Sequence, residues 1–195
     1  MTNELGLIVF AFVGTVSPGP NNAVLWASGL RFGFRPTVPH LVGTAIGMGS
    51  IILAVAAGIG AALHAVPGAE TALKVVGSLY LVYIAYLVVR GGTVNRADVA
   101  APLTVWQAVW FQCLNPKAWV FSVAAVAAFL PEGKPVAVVT FTAVVLAVVV
   151  VSSSIWAAGG VALGLVLDDE RSRRAVSITL AALLVASVAL IWIDG

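Results

Sequence analysis

The chain is short of charge. Only 9% of its 195 residues are Asp, Glu, Lys or Arg, while 61% are hydrophobic. A soluble domain carries roughly 25% charged and 45–50% apolar residues. So few charges cannot cover a water-soluble fold of this length, and the composition points into the bilayer. The net charge of +2 is too thinly spread to form a phosphate-tracking patch, which excludes nucleic acid as a partner. The single cysteine, Cys113, excludes a disulfide framework, a thiol relay and a cysteine zinc cage. No Asp or Glu falls inside an apolar stretch; Glu70, Asp168 and Asp194 sit at ends or in loops. A carboxylate proton relay through the membrane centre is therefore not expected, and a buried dicationic substrate would lack its counter-charge. The first residues, MTNELGLIVF, have neither the basic region nor the cleavage pattern of a signal peptide, so the first apolar stretch reads as a retained span.

Six apolar stretches are present, at about 5–28, 38–63, 71–89, 103–130, 136–167 and 175–193. Each reaches the ~20 residues that a transmembrane helix needs. RFGFRP, HAVPGAE, RGGTVNRADVAAP, PEGKP and DDERSRR separate them. The fifth stretch is overlong, and Ser152, Ser153 and Ser154 followed by Gly159 and Gly160 suggest a kink, a tilt or an interfacial extension. With six spans, Arg31, Arg35, Arg90, Arg96, Arg171, Arg173 and Arg174 fall on one side, against Lys74 and Lys134 on the other. The positive-inside rule makes the arginine side cytoplasmic and places both termini outside.

The expected fold is all-α: a polytopic membrane protein with six transmembrane helices in two inverted three-helix repeats, about 1–97 and 98–195, forming a single transporter domain. Three spans per half make the halves antiparallel, as in many transporters. An offset of 98 aligns Pro18 with Pro116 and Glu70 with Asp168. Each proline falls near the middle of its span, and helix breakers at matching places in two halves point to a binding site.

Two constellations carry the chemistry. The first is Ser17-Pro18-Gly19-Pro20-Asn21-Asn22. Each proline removes a backbone hydrogen bond, and open backbone at membrane depth must face protein or a wet cavity. The half-helix that follows presents N-terminal amides suited to an anion. The plainer alternative is a proline kink with a capping Asn. The second is Asn115-Pro116-Lys117. Lys117 lies ~20 Å along the fourth stretch from Leu103 at 1.5 Å per residue, too deep for easy snorkelling from a core ~30 Å thick. It either binds substrate or titrates, or it is a structural lysine bonded to carbonyls freed by Pro116.

Other polar residues are weaker signals. His40 and His64 read as interfacial residues near opposite ends of the second span. Gly43, Gly47, Gly49, Gly58 and Gly60 read as close-packing positions. Tyr80, Tyr83 and Tyr86 share one face, and Trp106, Trp110 and Trp192 read as belt aromatics.

At SPGPNN and NPK the sequence resembles the LysE/RhtB lysine exporter family of amino-acid exporters. Ser17-Pro18-Gly19-Pro20, then Gly29, Arg31 and Gly33, then Gly43 and Gly47, follow the family pattern, as do Lys74, Gly77, Tyr80 and Leu81. Leu114 to Ala118 carries the fourth-span motif intact, with Phe121 beyond it. The resemblance implies a bacterial cytoplasmic-membrane exporter of amino acids or derivatives, driven by the proton gradient, dimeric and without a cofactor. It carries Ser17, Pro18, Gly19, Pro20, Asn21, Asn115, Pro116 and Lys117 into a substrate-binding site. Members that export basic amino acids tend to have an acidic residue in the second span. Here Gly43 to Gly49 has none, which favours a neutral, hydrophobic or modified amino acid.

The expected function is therefore secondary export around a midplane site. The substrate carboxylate goes to Lys117 and the half-helix amides, and its amine to freed carbonyls and Asn21. Two alternatives stand beside it. A small-ion or metal transporter would want more carboxylates, histidines or thiols in its spans. An intramembrane hydrolase built on a Ser17–Lys117 dyad would need an oxyanion hole that the sequence does not signal.

Overall fold

Prolines divide two of the apolar stretches. The computed structural model describes residues 4–58, 68–91, 101–130, 135–166 and 170–193, which are helical apart from short breaks and caps. The first stretch becomes α1 (Glu4–Val16) and α2 (Pro20–Phe32), bent by 64°. The second becomes α3 (Phe34–Ala56) and the third α4 (Ala69–Gly91). The fourth divides into α5 (Val105–Cys113) and α6 (Pro116–Phe129). α7 (Pro135–Val166) and α8 (Glu170–Ile193) complete the order. Among the described residues, α3 and α7 are long and apolar enough to cross a membrane, and α1 with α2 makes a third if taken as one span.

Local chemistry sets the ends. Pro20 and Pro116 each open a helix at its first turn, where a missing N–H removes nothing from the ladder. Thr104 and Gln107 form a reciprocal capping box at the start of α5, a device whose loss costs about 1 kcal/mol. Between α2 and α3 stands only Gly33, with φ of 86°, a left-handed conformation that glycine adopts without a Cβ clash. α3 therefore begins at Phe34, four residues before the apolar stretch, and carries Pro39 within it. The serines and glycines of the fifth stretch do not interrupt it: α7 is one helix of 32 residues.

The glycines pack instead. In lipid, helices associate through close backbone approach rather than hydrophobic expulsion. Gly43 and Gly47 of α3 lie against Val105, Ala108 and Gln112 of α5. Gly29 of α2 lies on the Ala157 carbonyl of α7, and Gly160 of α7 lies on the Trp26 carbonyl of α2. Gly77 of α4 meets the Leu114 carbonyl in the break between α5 and α6. α3 thus pairs with both halves of the second broken stretch, α7 with both halves of the first, and α4 with α8.

Three apolar clusters lie among the described helices, the smallest of them Leu25, Leu41 and Ala157 between α2, α3 and α7; the other two are larger. One joins Leu7 and Ala11 to Met48, Ile52, Phe121, Val145 and Val149 across α1, α3, α6 and α7. The other joins Val24, Leu81, Phe111 and Ala181 across α2, α4, α5 and α8. Leu5, Val9, Val13, Val120, Val139 and Leu165 face outward, as lipid-facing positions do. Trp106 and Trp110 are exposed. His64, Gly60, Arg96, Lys134, Asp168 and Asp194 lie outside the described residues, as do the side chains of Glu70, Lys74, Tyr80, Arg90, Arg173 and Trp192.

Candidate substrate site

Every carbonyl from Val13 to Gly19 has a hydrogen-bond donor, although two prolines have removed theirs. In a continuous helix the amides of residues 18 and 20 would serve the carbonyls of Gly14 and Val16, and Pro18 and Pro20 have no N–H to give. The Ser17 hydroxyl donates to Gly14 O at 2.9 Å, and the Trp156 indole of α7 donates to Val16 O at 3.0 Å. Asn22 Nδ2 donates to the carbonyls of Thr15 (2.7 Å) and Ser17 (2.9 Å). Ser17 N reaches back to Val13 O, and Ala23 N to Gly19 O. The carbonyl of Pro18 and a second bond to that of Ser17 remain, and Lys117 supplies both.

Lys117 stands in the first turn of α6. Its ammonium donates to Ser17 O at 2.9 Å, Ser17 Oγ at 2.7 Å and Pro18 O at 3.1 Å. An ammonium has three donors, and all three are engaged. The helix dipoles explain the direction: a cation is disfavoured at the positive N-terminus of α6 and favoured at the negative C-terminus of α1. Lys117 is therefore bonded to carbonyls of the other break, not to those freed by Pro116. The carbonyl stranded by Pro116 is Gln112 O, which accepts from Asn115 N at 3.1 Å. Asn115 Oδ1 caps α6 by accepting from Lys117 N at 3.1 Å. Trp119 Nε1 donates to Cys113 O at 2.8 Å.

The two breaks thus meet, as the sequence predicts. Gly19 is extended, with no side chain capping α2, so the amides of Asn21 and Asn22 open the helix. Lys117 passes close by: a Cβ on Gly19 would lie 3.0 Å from its Cδ and Nζ. Between the breaks is a cavity of about 40 Å³, lined on its polar side by Thr15, Asn21, Asn22, Gln112, Asn115 and Lys117 and on its apolar side by Met48, Ala118, Phe121 and Val149. At roughly 10–15 Å³ each it has room for about three water molecules.

Ser17, Gly19, Asn21, Asn115 and Lys117 are brought together as expected, and Pro18, Pro20 and Pro116 shape the breaks. The acceptors expected to take an amine are engaged from within. Ser17 O and Pro18 O hold Lys117, while Asn21 Oδ1 accepts from Thr44 Oγ1 at 3.1 Å and bonds His40 Nε2 at 3.2 Å. His40 corrects the sequence reading. It is fully buried, edge-on to Phe111, with Nδ1 unpartnered among the described residues. Its position near the start of α3 looked interfacial, but α2, α3 and α5 close around it.

The sequence missed Trp156 and Gln112. Asn22 is part of a visible motif, yet its role as a double donor depends on the fold of the break. Trp156 and Gln112 sit in apolar runs with no local signature.

The contact between Ser17 and Lys117 has the wrong polarity for hydrolysis. A lysine that donates three hydrogen bonds is a cation, not a general base, and the Ser17 proton is directed at Gly14 O. Nucleophile activation requires the opposite flow.

Residues 12–193 match the family described as LysE type translocator. The chain belongs to that family. LysE members are membrane transporters, not enzymes, and the Ser17–Lys117 pair is read accordingly. Curated relatives share 28% identity over 154 residues, covering 77% of this chain and 78% of theirs. They include cysteine/O-acetylserine efflux proteins of Escherichia coli strain K12 and Shigella sonnei strain Ss046. A relative of the same name from Escherichia coli O6:K15:H31 is 27% identical over the same length. No solved structure matches the chain.

Proposed function

We propose that this LysE member exports small neutral amino acids or their derivatives by alternating access, with protons flowing inward. The membrane is the bacterial cytoplasmic membrane, with both termini outside. One observation carries the reading: two helix breaks from different parts of the chain converge on a polar cavity, and the ammonium of Lys117 spans them. Ser17, Pro18, Gly19, Pro20, Asn21, Asn115, Pro116 and Lys117 form the site. The open amides of α2 and the Lys117 ammonium receive the substrate carboxylate. No Asp or Glu lines the cavity, which agrees with a substrate of one positive charge. The curated relatives are named for cysteine and O-acetylserine, small zwitterions of this class.

Six crossings in two inverted halves draw support from one feature of the packing: α3 touches both halves of the second broken stretch and α7 both halves of the first, although α3 packs chiefly on α5 and α7 chiefly on α2. The cavity is smaller than an amino acid, so this state is the contracted one and the substrate enters by widening it. A homodimer is consistent with the family resemblance.

Growth protection and vesicle flux test the proposal. Expression should relieve inhibition by neutral amino acids and O-acetylserine, and not by lysine or arginine. Proteoliposomes should accumulate the same compounds under an imposed proton gradient and lose them on adding an uncoupler. Equal protection against lysine would overturn the substrate class, and accumulation indifferent to the uncoupler would overturn the coupling.

A further inference from the structure

Gln112 is the last but one residue of α5, 3% exposed, and it lines the cavity between the breaks. Its Nε2 lies 3.9 Å from the sulfur of Met48, which also receives the Ser122 hydroxyl at 3.6 Å. A thioether sulfur is a weak acceptor, so it takes the N–H side of the amide and turns the oxygen away. That oxygen, Oε1, is buried and has no hydrogen-bond partner among the described residues. A buried acceptor without a donor is disfavoured by ~1–3 kcal/mol, and such a group is commonly completed by a ligand or an ordered water.

The two broken stretches differ at this point. Each first half-helix ends with its negative dipole end at the break. The C-terminus of α1 is occupied from within by the Lys117 ammonium. The C-terminus of α5 has no internal cation among the described residues, and its backbone carbonyls at Trp110, Gln112 and Cys113 are bonded. Its polar contribution to the cavity lining is Gln112, whose amide oxygen is the unpartnered one.

We infer that Gln112 Oε1 is the acceptor for the substrate α-ammonium, and that it selects singly charged zwitterions. This rests on the export reading and deepens it. A neutral carbonyl dipole at a helix C-terminus balances one ammonium, whereas a second ammonium on the substrate side chain would meet Met48, Ala118, Phe121 and Val149, or the neutral hydroxyls of Thr44 and Ser153, and no carboxylate. The carboxylate end is recognised separately, at Lys117 and the α2 amides. Loss of Gln112 therefore harms amine recognition and leaves carboxylate recognition in place.

Competition against counterflow in proteoliposomes separates the two ends. The labelled probes are O-acetyl-L-serine and L-leucine. The competitors are the same compounds and their amine-free partners, 3-acetoxypropanoate and 4-methylpentanoate. Replacing Gln112 with Leu should raise the half-saturation for the amino acids about tenfold or more, the effect of an unpaired charged group, and leave inhibition by the amine-free acids unchanged. Gln112→Glu keeps the shape and adds a charge; it should restore amino-acid affinity and newly admit L-2,4-diaminobutyrate, whose two amines are both protonated at neutral pH, as a competitor. The inference is overturned if Gln112→Leu weakens both members of a pair equally, if it weakens neither, or if Gln112→Glu excludes the dication. Absence of saturable exchange of both probes by the wild-type protein would overturn the export reading itself. Retained amino-acid exchange with unaltered pair discrimination in the variants would overturn only the assignment of Gln112.

Discussion

The ammonium of Lys117 lies 2.9 Å from the carbonyl oxygen of Ser17, a residue one hundred positions earlier in the chain. The bond joins the start of α6 to the end of α1 across the site. It gives Lys117 two tasks: it completes a backbone that two prolines have stripped, and it places a positive charge where a carboxylate is expected. The tasks compete, because a carboxylate that takes the ammonium must draw it from Ser17 or Pro18. On the proposed export reading, substrate binding would loosen the break.

Lys117→Ala should abolish export while the protein still inserts, with a lower melting temperature in detergent because Pro18 O loses its donor. Lys117→Arg should not restore flux, since a planar guanidinium cannot match acceptors that a compact ammonium gathers at one point. The check is substrate efflux from proteoliposomes carrying equal amounts of each variant. Wild-type flux from Lys117→Ala would remove Lys117 from the site.

Gly19→Ala tests the approach of the lysine. Gly19 is extended, so alanine fits the backbone, but its Cβ would crowd the Lys117 tip at 3.0 Å. The tip is flexible and can move aside. The expected result is an unchanged melting temperature with transport reduced about tenfold, equivalent to ~1.4 kcal/mol.

Trp156→Phe removes the one donor that serves Val16 O in place of Pro20. An unpaired buried carbonyl costs ~1–3 kcal/mol. Thermal melting should fall accordingly, whereas substitution of the exposed Trp106 or Trp110 should leave it unchanged.

Adjacent glycines in α7 should respond in opposite ways. A Cβ on Gly160 would run into the Trp26 carbonyl, while one on Gly159 meets only the Trp26 indole nitrogen at 4.0 Å. Gly160→Ala should destabilise the protein by ~1–3 kcal/mol through overpacking, read as a lower melting temperature. Gly159→Ala should be close to neutral.

Much of this arrangement is legible in the sequence, and the legible part is local. Pro18, Pro20 and Pro116 act on their own helices whatever surrounds them, so the breaks can be placed from spacing alone. Lys117 is conspicuous because a charge at that depth needs a reason. That the two breaks meet can be read from their matching prolines, but not that Lys117 bonds the Ser17 and Pro18 carbonyls rather than those freed by Pro116, since that depends on the tertiary approach of α1 and α6. His40 was misplaced because distance along a span does not report which helices close over it. Gln112 escaped because one amide at the end of an apolar run carries no pattern; its significance lies in an oxygen left unpaired by tertiary packing. The Thr104–Gln107 capping box belongs to the local, legible part, because a Thr followed three residues later by Gln is a pattern within one turn.

The full pairing of the carbonyls from Val13 to Gly19 bears on insulation. A membrane that stores a proton gradient is short-circuited by any polar path through it, and a broken helix is an opening for one. Here the donors of Ser17, Asn22, Trp156 and Lys117 occupy the positions where a file of water would otherwise find acceptors. On the proposed reading, in which the break lies at membrane depth, such pairing would let the chain keep an unwound segment there without leaking the ions whose gradient it is proposed to use.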